Sequence, residues 1–128
     1  IILLDIDEFK LINDKHGHAA GDLVLKEVAA LLNSAIREGD VLARWGGEEF
    51  ALMLPLTSLE DAVNMAERIR ETVENKQIMY GISKIRTTIS AGIAQIDSDT
   101  KSIDELFTVA DAGLYQAKQG GRNMVCAV

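Results

Sequence analysis

The chain holds a single cysteine, Cys126, and a single proline, Pro55. A lone thiol excludes an intrachain disulfide and any cysteine-based zinc site, and it points to a reducing, cytoplasmic setting. Long apolar runs are missing as well. Ile1-Ile2-Leu3-Leu4 stops at Asp5, far short of the roughly 20 residues that cross a bilayer. A basic balance is absent too: 13 Lys and Arg against 20 Asp and Glu leave a net charge of −7. Such a chain is unsuited to holding a nucleic-acid backbone or an anionic membrane by bulk attraction. No internal repeat or low-complexity segment stands out. What is present is 48% hydrophobic and 26% charged over 128 residues, the make-up of one packed domain covering the whole chain, 1–128. The sequence starts without Met and inside an apolar run, and so reads as an N-terminally truncated fragment of a longer protein.

Periodicity and punctuation order the elements. Residues 1–6 read as a buried strand and residues 8–14 as a short helix with Phe9 and Ile12 on one face. Gly17 and Gly21 mark residues 16–21 as a loop. A long helix follows over residues 22–37, ended by Gly39, with Val24, Leu25, Val28, Leu31 and Leu32 at helical spacing. Residues 41–45 and 49–54 form a hairpin across Gly46-Gly47, and Pro55 stops its second strand. Ser58 with Asp61, and Ser102 with Glu105, open two further helices as capping boxes. Residues 75–84 are ambiguous, residues 85–96 are β-rich, and residues 123–128 are a closing strand. The order β-α-α-β-β-α-β-α-β, with a hairpin at its middle, predicts an α+β domain whose central sheet is mostly antiparallel and flanked by helices.

Two acidic clusters are the first candidates for chemistry: Asp5-Ile6-Asp7 at the end of the first strand, and Glu48-Glu49 after the Gly46-Gly47 turn. Acidic residues at loop ends are commonly solvated charges. They are also how a hard cation is held, since Mg²⁺ takes one or two carboxylates plus substrate phosphate oxygens. A Gly-Gly turn lets a ligand approach the backbone, and Phe50-Ala51-Leu52-Met53-Leu54 anchors the turn in a buried strand.

Arg44-Trp45-Gly46-Gly47-Glu48-Glu49-Phe50 resembles the signature of the GGDEF family of diguanylate cyclases, in its GGEEF form. Asp5 to Asp14 is similar to that family's D-x-D-x-F-K-x-x-N-D stretch. Gly17-His18 with Gly21-Asp22 resembles its G-H-x-x-G-D, and Ala110 to Asn123 its A-D-x-x-L-Y-x-A-K-x-x-G-R-N. The resemblance spans the chain in order. It implies a fold like nucleotide cyclases and polymerase palm (ferredoxin-like) domains. It also implies condensation of two GTP into cyclic di-GMP with release of pyrophosphate, using Mg²⁺ or Mn²⁺. The alternative is a catalytically silent module that receives cyclic di-GMP or GTP.

Roles follow from the same resemblance. Asp5, Glu48 and the Ile6 carbonyl correspond to metal ligands. Glu49 is either a further ligand or the group that deprotonates the ribose 3′-hydroxyl. Lys10, Lys118 and Arg122 are the cations for the triphosphate, with the N–H groups of Phe9 and Lys10 at a helix start as further donors. Asn13 and Asp22 read guanine, Asp22 accepting from N1–H and the 2-amino group; its position also permits a plain helix cap. Arg37 and Asp40 match an R-x-x-D product-inhibition site, with Arg68 completing it from a neighbouring protomer. Each domain supplies half of the catalytic site, so a homodimer is implied. So is an N-terminal sensor or receiver domain beyond Ile1, in a cytoplasmic or membrane-anchored protein. Residues outside these roles take plainer readings. Trp45 is core or rim, Cys126 is buried in a strand, and Met53 and Met65 fill the core. His16 and His18 lack a third ligand for a metal. Gly113 stands where the family has Ala, at a cost of about 1 kcal/mol in a helix.

Overall fold

β1 (Ile2–Ile6) is apolar on both sides apart from Asp5 because it runs through the middle of the sheet; every residue in it is buried. The computed structural model describes residues 1–128. It places α1 (Phe9–His16), α2 (His18–Ala35), β2 (Val41–Arg44), β3 (Glu49–Met53), α3 (Leu59–Asn75), β4 (Ile78–Tyr80), β5 (Ser83–Ile85), β6 (Ile89–Ile93), α4 (Ile103–Gln119) and β7 (Val125–Ala127) in that order. The main sheet has strand order β2-β3-β1-β6-β7. All its pairings are antiparallel except β6 with β7. This is the expected α+β architecture. β4 and β5 form a separate two-stranded hairpin, which settles the ambiguous residues 75–84 and cuts the β-rich run 85–96 at residues 86–88.

The two faces are covered unequally. α2 and α3 enclose the larger core, which includes Ile2, Leu4, Ile6, Val28, Leu52 and Ile69. α4 covers the opposite face over Leu3, Ala51 and Ala94 through Ala110 and Leu114. The serine half of each capping box forms: Ser58 Oγ accepts from the Asp61 N–H and Ser102 Oγ from the Glu105 N–H, each at 3.1 Å, while the Glu105 carboxylate accepts from the Lys101 N–H at 2.8 Å rather than from Ser102.

Two glycine readings change. α2 starts at His18, with Gly17 at its N-cap in a positive-φ conformation (φ 92°), so Gly21 lies inside the helix rather than in a loop. A Cβ on Gly21 would meet Asn13 Oδ1 at 1.8 Å and Phe9 Cζ at 3.2 Å; the glycine serves the close approach of α1 to α2. Gly113 has a similar reason. A Cβ there would meet the Cys126 carbonyl oxygen at 2.8 Å and Gly92 Cα at 3.2 Å, so the residue lets α4 sit tightly on β6 and β7 rather than merely weakening a helix. Cys126 is half-buried on the edge strand, not fully buried.

Candidate active site

The antiparallel register sets the centre of the site. Asp5 on β1 lies directly opposite Glu49 on β3, so their side chains share the α4 face of the sheet. One residue earlier on β3 the chain leaves the ladder. The Ile6 N–H donates to the Glu48 carbonyl (3.1 Å), and the N–H groups of Trp45 and Gly46 both donate to the Glu49 carbonyl (2.8 and 3.2 Å). The Arg44 guanidinium closes the turn from outside, donating to the carbonyls of Gly46 and Gly47. The Trp45 ring stacks on Phe107 of α4, which makes it a rim residue.

α4 ends at this same point. Lys118 Nζ donates to Asp5 Oδ2 at 2.5 Å, and Asp5 is only 4% exposed. Burial pushes the Asp5 carboxyl above the ordinary carboxylate range, opposed by Lys118 and reinforced by Asp7. Burial also raises Glu48, with the charge of Asp5 adding to the shift. For Lys118 burial acts downward, but the hydrogen bond and charge of Asp5, followed by Glu49 and Glu48, leave the ammonium raised. Asp5, Glu48, Glu49 and Lys118 therefore share one electrostatic environment with an excess of negative charge. No three His, Cys, Asp or Glu side chains converge closely enough to cage a metal by themselves. The set Asp5, Ile6, Glu48 and Glu49 is thus not preassembled as a closed site, and Lys118 occupies the cationic position at Asp5. An all-oxygen set with a buried, incompletely neutralised carboxylate suits a hard divalent cation that brings phosphate oxygens as its remaining ligands.

Around this centre, α1 begins directly after β1. The N–H groups of Phe9 and Lys10 open the helix and so have no acceptor within it; Lys10 is exposed. Asn13 Oδ1 is buried without a hydrogen-bond partner and faces Gly21. Asp22 is exposed in the second turn of α2, which removes the helix-cap reading. Arg122 lies past the end of α4 with φ 66°, its N–H bonded to the Ala117 carbonyl, and its side chain joins none of the chain's ion pairs.

Sequence reasoning missed what holds these parts in place. Asp7 accepts from Thr88 Oγ1 and Ser90 Oγ, both at 2.7 Å, and from the Asn123 N–H at 2.9 Å. It pins the end of β1 to β6 and to the turn that presents Arg122. Arg70 on α3 donates to Asn123 Oδ1 at 2.9 Å and pairs with Glu67 and Glu74, bracing the same turn. The D-x-D spacing signalled Asp7; nothing local signalled Arg70.

The second group lies elsewhere. The Arg37 N–H donates to Asp40 Oδ2 (2.8 Å), and Arg37 Nη2 donates to Thr57 Oγ1 (2.7 Å). Arg37 and Arg68 of one chain line the same cavity of about 270 Å³, together with Thr57, Asp61 and Asn64. His16 and His18 flank Gly17 at the junction of α1 and α2.

The family model described as diguanylate cyclase, GGDEF domain, matches residues 1–124. Diguanylate cyclase A of Treponema denticola is 51% identical over 125 residues, covering 98% of this chain and 34% of that protein. Diguanylate cyclase DgcM of Escherichia coli K12 is 48% identical over 127 residues, covering 99% and 30%. The chain thus spans about a third of the length of these relatives. Among solved structures, the GGDEF domain of DgcB from Caulobacter crescentus in complex with c-di-GMP superposes with a TM-score of 0.94 at 35% identity, covering 98% of this chain and 75% of that one. The active GGEEF domain of a diguanylate cyclase from Vibrio cholerae gives 0.92 at 36%, covering 98% and 80%.

Proposed function

This chain belongs to the GGDEF domain family of diguanylate cyclases, and from that premise we propose that it condenses two GTP molecules into cyclic di-GMP across a two-fold dimer, with feedback from its product. The observation that carries the reading is the convergence of Asp5, Lys118 and the Glu48-Glu49 turn from three separate stretches of chain.

In this reading Asn13 and Asp22 hold guanine between α1 and α2; Asp22 accepts from N1–H and the 2-amino group, a donor pair adenine lacks. The partnerless Asn13 Oδ1 supports the presence of a polar ligand there. Phe9 and Lys10 N–H, the Lys10 ammonium, Lys118 and Arg122 take the triphosphate. Such local contacts are required because the whole-chain charge of −7 opposes an anionic substrate. Asp5, Glu48 and the Ile6 carbonyl would hold Mg²⁺ or Mn²⁺. Bound there, the cation supplies charge for the leaving pyrophosphate and lowers the pKa of the attacking hydroxyl. Glu49 receives the ribose 3′-hydroxyl proton on a carboxylate oxygen, or orients that hydroxyl as a further ligand. The 3′-oxygen bonds to the α-phosphorus of the second GTP as its bond to the β-phosphate oxygen breaks. The mirrored event on the partner closes the ring and releases the second pyrophosphate.

Arg37, Asp40 and Arg68 form the inhibitory site in this proposal, Arg37 reading the product's guanine or phosphate with its planar fork. The same proposal assigns dimer enforcement to a sensor or receiver domain N-terminal to Ile1. The test is turnover of GTP with Mg²⁺ and identification of the product by mass. Cyclic di-GMP is expected from the natural chain in an enforced dimer and none from Glu49→Ala. Tight cyclic di-GMP binding with no turnover would instead establish the receptor reading.

A further inference from the structure

Trp45 is the chain's one tryptophan. It is 60% exposed, yet its ring is held: it stacks on Phe107, with centroids 4.7 Å apart and planes 28° from parallel. The pair joins two pieces of chain that carry different parts of the site. Trp45 immediately precedes Gly46, and its N–H donates to the Glu49 carbonyl at 2.8 Å, so the residue is built into the turn that presents Glu48 and Glu49. Phe107 lies on α4, about three helical turns before Lys118.

The other restraints on the turn act differently. Arg44 grips the carbonyls of Gly46 and Gly47, which fixes the shape of the turn but not its place. The Ile6 N–H to Glu48 carbonyl bond ties the turn to β1. Gly46 and Gly47 bring no side chains to pack and leave the backbone permissive. α4 packs on β1, β6 and β7. The ring stack is the one aromatic pair in the fold, and it spans from that helix to the first residue of the turn.

The geometry points to Trp45 and Phe107 as a positioning pair for the proposed reaction, the stack fixing the Glu48-Glu49 turn against the helix that carries Lys118. The inference rests on the cyclase reading. The pair acts through the carboxylates of the turn, so its loss is felt where attacking oxygen and phosphorus must align, a step sensitive to small displacements. The guanine and triphosphate contacts assigned to Asn13, Asp22 and the start of α1 are untouched, and Lys118 and Arg122 keep their places because α4 is seated on β1, β6 and β7 without the stack.

The experiment compares Trp45→Ala, Phe107→Leu, their double variant and Trp45→Tyr with the natural chain, all as enforced dimers. Phe107→Leu keeps an apolar side chain on α4 and removes the stack. Each of the first two is expected to lose about tenfold in kcat while KM for GTP stays within about twofold. The double variant is expected to fall no further than either single change, because the two rings work as one unit. Trp45→Tyr, which restores an aromatic face, is expected to return kcat to within about twofold of the natural value. A readout independent of turnover accompanies these. In Phe107→Leu the emission of the sole tryptophan should shift, and the amides of Trp45 and Gly46, both bonded to the Glu49 carbonyl, should exchange faster with deuterium. If the natural chain makes no cyclic di-GMP, the cyclase reading fails while the exchange data still decide whether the stack holds the turn. Unchanged exchange at Trp45 and Gly46, unchanged kcat in the single variants, losses that multiply in the double, or no rescue by tyrosine would each overturn the inference.

Discussion

Asp5 gathers more of the site's energetics than any other residue. It is buried at a strand end, faces Glu49 in register, and has one strong partner, Lys118. Burial raises its pKa despite that partner, and burial plus the charge of Asp5 raises Glu48. A carboxyl whose folded pKa exceeds its unfolded value contributes stability that is complete below the unfolded pKa and is lost as pH rises through the folded one. At neutral pH these two groups therefore hold the fold below its potential stability, and a divalent cation bound at the proposed site would relieve them. Mg²⁺ is expected to raise the melting temperature at neutral pH and to do so progressively less as pH falls and protons compete for the same oxygens. Asp5→Asn should abolish the cation's effect, and differential scanning fluorimetry reads both. Asp22 permits a cleaner separation of binding from folding, since it is exposed and caps nothing. Asp22→Ala is expected to raise KM for GTP about tenfold or more, the loss of hydrogen bonds to a charged acceptor, with little change in melting temperature. At this scale the sequence made the carboxylates and cations legible because they sit in contiguous motifs. It left the Asp5–Lys118 contact and the Asp7–Asn123–Arg70 network invisible, because those partners lie 113, 116 and 53 residues apart.

Elements with strong local signals came through from sequence to structure: the central strand, both capped helices and the hairpin around Gly46-Gly47. The errors gathered at glycines, where one residue type serves opposite purposes. Gly21 reads as loop punctuation but lies inside α2, under Asn13. Gly113 reads as a weak spot in α4 but faces Gly92 across the helix–strand contact. A missing side chain signals a turn and a close approach equally well, and only the packing of distant elements tells them apart. Gly92 is the tighter position, since a Cβ there would meet the Ala110 carbonyl oxygen and the Leu114 nitrogen, both at 2.1 Å. Gly92→Ala is therefore expected to cost about 1–3 kcal/mol or more by overpacking. Gly113→Ala is expected to forfeit the gain of about 1 kcal/mol that helix propensity alone assigns to it. Urea unfolding of both variants measures these costs. A gain in stability for Gly113→Ala would mean that β7 yields to the added methyl group.

For the molecule as a whole the governing quantity is charge. Each chain carries −7, and the proposed chemistry brings two chains face to face with two further polyanions between them. The cations assigned to the substrate, Lys10, Lys118 and Arg122, offset that field locally and leave the protomers repelling at longer range. Association of the free domain is therefore expected to be weak and to strengthen as salt shortens the screening length, which is about 10 Å at 0.1 M. Sedimentation equilibrium without nucleotide should show a dimer fraction that rises with ionic strength, the reverse of an interface held by opposite charges. Turnover supplies the matching measurement. A site built from two halves gives a rate per chain that increases with protein concentration until dimers saturate, whereas a site complete in one chain gives a constant rate per chain. Charge-neutral fusion to a dimerising helix should remove both dependences at once, raising the rate per chain at low concentration and leaving it insensitive to dilution. A constant rate per chain in the unfused domain would place all the chemistry within one copy and dismiss the two-fold arrangement.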